Sequence, residues 1–251
     1  MNWVEQNRPW LESARRHWAP RSVEPLRLRA WLSAPVSWDG YDPLTLEGAL
    51  QYTVVGAETG LAPDDVFAEC PRETSLADTD IQVPIADTRM LGCWVPIAMA
   101  SVAWFSSDAA ATVRWRRRRI RDEHIALDKF TTSTATLKSS NLPAAAVTAL
   151  WVDWYVRGDA ARLRELLPLT THLSAHRSGG MGTIHGWEVS RAPDWWLTGP
   201  GGRLMRTVPA VACVKGHTCE TRQSTLRAPY WHKRSLTLCH VPMQELGEAL
   251  S

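Results

Sequence analysis

Hydrophobic and polar positions alternate along Leu26-Arg27-Leu28-Arg29-Ala30-Trp31-Leu32-Ser33, and Ala34-Pro35 closes the run. A period of two is that of a strand with one buried face. Further on, Leu46, Ala49 and Leu50 recur at i, i+3 and i+4, behind Asp42 as a cap and Pro43 at a first helical position. That spacing predicts a helix over 42–52. The same succession returns later. Residues 144–156, rich in β-branched and aromatic side chains, predict a strand, and Gly158-Asp159 leads into a helix over 160–167 with Leu163, Leu166 and Leu167 inward. Strands are predicted over 183–189 and 235–241. Residues 59–88, with Pro63, Pro71 and Pro84, read as mostly loop, and 90–105 holds apolar, strand-like pieces. Residues 1–24 read as an irregular extension bearing Arg and Trp, with a short helix at 11–18.

No short-period repeat is visible. Two strand–helix units separated by an insertion point to an α+β protein with one or two ferredoxin-like halves. The predicted organisation is an extension at 1–24 and one domain over 25–251, interrupted by an insertion at about 106–143. The insertion's polar stretch, Thr131 to Thr134, fits a projecting hairpin better than a core.

Charge changes this picture more than the totals do. The 251 residues carry 28 basic and 26 acidic side chains, a net +2, and 45% are hydrophobic. That balance excludes disorder and collagen-like repeats. Arginine outnumbers lysine 24 to 4, and 14 of 21 aromatic residues are tryptophan. The signs are segregated. Residues 39–87 hold eleven acids and one base, Arg72. Residues 114–121 read Arg-Trp-Arg-Arg-Arg-Arg-Ile-Arg, six arginines without an acid. Residues 203–234 hold seven bases and one acid, Glu220. A run of charge is usually a solvated face. This one is all of one sign and is interleaved by Trp115 and Ile120, which suits a nucleic-acid surface with a stacking aromatic. Stacking is expected of Trp115 alone. Trp151 and Trp154 read as core or half-buried strand residues, and Trp195-Trp196 as a docking surface.

One loop carries further chemistry. His176-Arg177-Ser178-Gly179-Gly180-Met181-Gly182 lies between a predicted helix and a predicted strand. Three glycines in four residues allow positive φ and close backbone approach. The loop could cradle a phosphate on its N–H groups, or it could be a plain tight turn. It is neither a Walker A loop nor a dinucleotide fingerprint, since both of those leave a strand and open a helix. Cys213, His217, Cys219, Cys239 and His240 fit no standard zinc spacing, and no metal site or cofactor is expected. The odd count of five cysteines argues against a disulfide framework. The most apolar run, Trp94 to Phe105, is 12 residues with Pro96 inside it, too short to span a bilayer. No charged-then-apolar leader opens the chain, and the few, odd-numbered cysteines make a reducing cytoplasm the expected location, away from any membrane.

The stretch Trp154 to Asp159, then Leu163 to Leu167, then Thr171-His172-Leu173, the glycine loop and Trp187-Glu188-Val189 resembles the RAMP superfamily of CRISPR proteins. In that superfamily a strand, a helix and a glycine-rich loop recur in this order. The likeness is closest to the subunit that binds the 5′ handle of the guide RNA (crRNA) in type IV effector complexes, a member of CRISPR-associated protein family five. The opening strand with the helix around Leu46 to Leu50 is also similar, and Leu204-Met205-Arg206-Thr207-Val208-Pro209 looks like a Leu-x-Arg-x-x-Pro element of the family. The resemblance covers about residues 25 to 210. Ala175, His176 and Met181 depart from it, where Lys or Arg and an aromatic residue are expected.

The resemblance implies a ferredoxin-like (RRM-like) core with an Arg-rich thumb, holding the crRNA 5′ handle as a non-catalytic subunit. It implies backbone and large subunits of the same ribonucleoprotein as partners, with target DNA near the PAM as a further contact. The residues it marks for RNA are Arg114, Trp115, Arg116, Arg117, Arg118, Arg119, Arg121 and Lys138 on the insertion, His176, Arg177, Ser178, Gly179, Gly180, Met181 and Gly182 in the loop, and Arg206. Some relatives cleave precursor RNA without metal. His176 would be the acid or base in that alternative, but a phosphate-contacting His is the expectation. A weaker alternative docks residues 203–234 on duplex DNA.

Overall fold

In the computed structural model the described residues are 3–38, 44–61, 66, 81–91, 96–118, 140–173, 180–212, 219–226, 236–243 and 246. The alternating segment forms β1 (Glu24–Leu32), with Leu26, Leu28, Ala30 and Leu32 buried. It leads through β2 (Val36–Ser37) to α2 (Leu46–Thr59). This helix runs past the predicted end and stops at Gly60, whose φ of 68° is the left-handed conformation glycine adopts without cost. The predicted cap, Asp42-Pro43, lies outside the described residues, and Thr45 holds the N-cap position.

The first helix, α1 (Trp3–Trp18), corrects the irregular extension expected at 1–24. Pro9 sits inside it, a substitution that ordinarily destabilises a helix by about 3 kcal/mol. Leu11, Ala14 and Trp18 form a buried stripe against the main core, and tertiary burial overrides the local penalty.

Two short strands, β3 (Asp87–Thr88) and β4 (Ile97–Ala98), pair with each other, and β5 (Trp104–Phe105) follows. Then comes a hairpin of β6 (Ala110–Arg118) and β7 (Ser140–Thr148), in register from Ala110 opposite Thr148 to Arg118 opposite Ser140. The predicted strand at 144–156 is in fact the end of β7 and most of β8 (Trp151–Gly158). The break has neither Gly nor Pro. It is held by tertiary bonds, Leu150 N–H to Ser106 Oγ at 3.0 Å and Leu32 N–H to the Leu150 carbonyl at 2.9 Å.

Asp159 caps α3 (Ala160–Leu166), accepting from the Ala161 and Arg162 N–H groups. Its other oxygen accepts from the Arg21 and Ser22 N–H groups. Burial alone would raise this carboxyl's pKa. The four donors outweigh burial and hold it below the ordinary carboxylate value. A turn of 3₁₀ helix, Leu167–Leu169, leads to the glycine loop and β9 (Ile184–Arg191).

The main sheet is antiparallel, in the order β5-β8-β1-β9. In chain order its framework is strand, helix, strand, strand, helix, strand. Helices α1, α2 and α3 cover one face, burying Val54, Trp154 and Leu163 among others. Beyond β9, a second sheet of three strands has the order β10-β12-β11, with β10 at Val208–Pro209, β11 at Cys219–Thr225 and β12 at Leu236–Pro242. β12 agrees with the predicted last strand to within a residue. β11 is unforeseen, because its sequence, Cys-Glu-Thr-Arg-Gln-Ser-Thr, is polar nearly throughout.

Candidate nucleic-acid interface

The exit of β1 is bound on both flanks. On one side the Ser33 N–H donates to the Thr183 carbonyl at 3.0 Å, and the Gly182 N–H donates to the Pro35 carbonyl at 2.8 Å. On the other side Val36 pairs with Val147, and the Trp38 N–H donates to the Ala145 carbonyl at 3.2 Å. The end of the glycine loop and the base of the β6–β7 hairpin therefore flank the same end of the main sheet.

On β6, Arg114, Trp115, Arg116, Arg117 and Arg118 stand in register with Ala144, Pro143, Leu142, Asn141 and Ser140. No carboxylate occurs among these cross-strand positions. Arg119, Arg121 and Lys138 lie outside the described residues, as do His176, Arg177, Ser178 and Gly179.

Gly180, Met181 and Gly182 are described. Gly180 has φ 73° and is exposed with open space around it. Gly182 has φ 67°, and a Cβ there would lie 2.1 Å from the Leu173 carbonyl oxygen. Its glycine is thus required by packing, and its N–H is already used by Pro35. Of the two functions the loop could serve, a tight turn accounts for Gly182, and Gly180 retains the open space a ligand would need.

Arg206, expected to contact RNA, is an interior residue, about 3% exposed. Its Nη2 donates to Glu47 Oε1 at 2.8 Å and to the Leu226 carbonyl at 3.1 Å, and its Nη1 donates to the Ala100 carbonyl at 2.6 Å. The guanidinium ties α2, the approach to β5 and the end of β11 together. It is not available at the surface.

The outer face of the main sheet, opposite the helices, holds residues to which sequence reasoning gave no binding role, Trp151 among them as the half-buried strand residue expected. The alternation along β1 puts Arg27, Arg29 and Trp31 there, across from Tyr155, Asp153 and Trp151. Arg29 makes a two-point bond to Asp153, at 2.7 and 2.8 Å. Asp153 holds the Arg29 guanidinium above its ordinary pKa, while burial pushes the Asp153 carboxyl up against the pull of Arg29. The Arg29 guanidinium lies 3.7 Å from the centre of the Trp151 ring and 5.3 Å from that of Trp31. Arg27 bonds Glu188 at 2.7 Å.

The described residues contain no group of three or more His, Cys, Asp and Glu side chains placed to hold a metal. Cys213 and His217 lie outside them. No helix among them is long and apolar enough to cross a membrane. No protein-family model matches the chain, and no curated protein matches it.

Proposed function

We propose that this chain is a non-catalytic RNA-binding subunit of a type IV CRISPR effector complex, holding the 5′ handle of the crRNA. The observation that carries the proposal is the convergence at one end of the main sheet. A glycine turn and the base of a hairpin whose arginines face no carboxylate in register flank the exit of the same strand. The sequence resemblance links those two elements to one RNA. Single-stranded RNA is held by backbone N–H groups, Arg charge and stacking aromatics, and the sequence of the hairpin supplies the arginines and Trp115. The strand order β5-β8-β1-β9, with α2 and α3 as crossovers, is also the order of a ferredoxin-like (RRM-like) core. In this proposal the hairpin is the thumb, and the backbone and large subunits dock around it, the latter next to target DNA at the PAM.

The test is a pull-down of the tagged chain from cells that also express its neighbouring genes and a repeat array, with end-sequencing of the bound RNA. One discrete species with a repeat-derived 5′ end is the expected result. Mixed RNA, or none, overturns the proposal. Intact repeat RNA after long incubation with the purified chain in EDTA separates it from a metal-independent nuclease.

A further inference from the structure

The outer face of the main sheet is divided. Toward Tyr155 it is roofed. Trp195 packs on Tyr155 with ring centres 5.1 Å apart, and Met205 is buried against Val102 and Trp104. Toward Trp31 the Arg29 guanidinium lies against the Trp151 ring, 3.7 Å from its centre. There Trp31 stands directly opposite Trp151, and both rings are half-buried. The position facing Trp31 on its other flank is Gly186, where an added Cβ would meet nothing nearer than the Trp31 ring at 4.0 Å. Position 186 therefore contributes no side chain over the indole.

We propose that Trp31 and Trp151 form a stacking platform for a base of single-stranded RNA, continuous with the interface proposed above. The inference rests on that RNA-binding function and adds a second contact to it. Three features favour a base over an apolar peptide. The surface consists of indole rings and a guanidinium plane rather than aliphatic pockets, and bases stack on both kinds of plane. The charges beside it are already neutralised, Arg29 by Asp153 and Arg27 by Glu188. The platform would therefore take an uncharged planar group and leave phosphate to the hairpin. It also lies at the end of β1 that the glycine turn and the hairpin base flank, so a strand held by those two would pass beside it. Arg29 acts here as a positioning residue, fixing the Trp151 ring through its bond to Asp153.

The test is the affinity of the full chain for a fluorescent, unstructured oligouridine, measured by polarisation across a salt series. Trp31→Ala is expected to weaken binding about tenfold with an unchanged salt slope, because stacking releases no counterions. Trp31→Phe is expected to restore most of the affinity. Ultraviolet crosslinking of the unmutated chain to 4-thiouridine RNA keeps the test independent of folding, and adducts are expected on the peptides holding Trp31 or Trp151. Equal affinity in Trp31→Ala, crosslinks confined to other peptides, or no binding of oligouridine by the chain each overturns the platform. The two proposals fail separately. A repeat-derived RNA in the pull-down with no effect of Trp31→Ala removes only the platform. Mixed RNA in the pull-down with weakened binding by Trp31→Ala removes only the handle.

Discussion

Arginine stands in two different settings in this molecule. In the body of the fold, Arg27, Arg29 and Arg206 each have a carboxylate oxygen within 2.7–2.8 Å. On β6, Arg114 to Arg118 stand in register with a segment that carries no acid at all. An abundance of arginine therefore says little about binding. What separates a strut from a contact surface is whether the fold brings an acid to it. Buried charge is tolerated only when paired and bonded, whereas charge of one sign attracts a polyanion and makes the binding salt-dependent.

The largest break in that comparison comes from Arg206→Met. It takes the Arg206 guanidinium away from Glu47, which is about 2% exposed. Removing one partner of such a pair typically destabilises by about 3–5 kcal/mol. Thermal unfolding should show a drop of roughly 10 °C for a chain of this size. Replacing both partners, Arg206→Met with Glu47→Leu, should recover most of it, because the uncompensated charge is gone. Salt-dependent RNA affinity, measured on the folded fraction, should be unchanged in either variant. A fall in affinity with intact stability would return Arg206 to the RNA surface.

The hairpin gives the reverse outcome. Arg114→Ser, Arg116→Ser and Arg118→Ser together remove no ion pair with the cross-strand residues. Their effect on stability should stay near about 0.5 kcal/mol per site. RNA affinity should fall, and the slope of log K against log salt should flatten by about 0.7 for each phosphate that is no longer neutralised. Filter binding between low and physiological salt measures it. An unchanged slope would make the hairpin a solvated face.

What could be read from the sequence follows the same division between local and tertiary causes. β1 was legible because Leu26, Leu28, Ala30 and Leu32 bury one face and the period of two survives in the sequence. The pairing of β6 with β7 fits the hairpin expected around the Arg run. The break between β7 and β8 was not legible, because the Ser106 hydroxyl 44 residues away holds it. α1 was hidden by Pro9, and β11 by a polar sequence that only its neighbour β12 makes a strand. At the site, the glycine of position 182 could be expected, but its cause, the Leu173 carbonyl, lies across the turn. Arg206 was misassigned because Glu47 is 159 residues away in sequence.

The smallest effect sharpens the comparison at its interior end. Asp87 sits near Glu47 and Arg206, and its carboxyl is pushed up to about 6. Desolvation is the first cause and the Glu47 charge the second, with Arg206 opposing. A folded-state pKa above the unfolded value of about 3.9 means the folded protein binds the proton more tightly. Stability therefore falls as pH rises from about 4 to about 6, and the full penalty persists above that. More than a third of Asp87 remains open to water even though protein atoms crowd its carboxyl. Solvent screening therefore limits the penalty to about 1 kcal/mol or less. Asp87→Asn should raise the unfolding temperature by about 2 °C at pH 7.5 and leave it unchanged at pH 4. A rise of the same size at both pH values would mean that the amide gains a new bond. A fall at pH 7.5 would mean that the Asp87 carboxylate supports Arg206, so that the buried arginine depends on two acids rather than one.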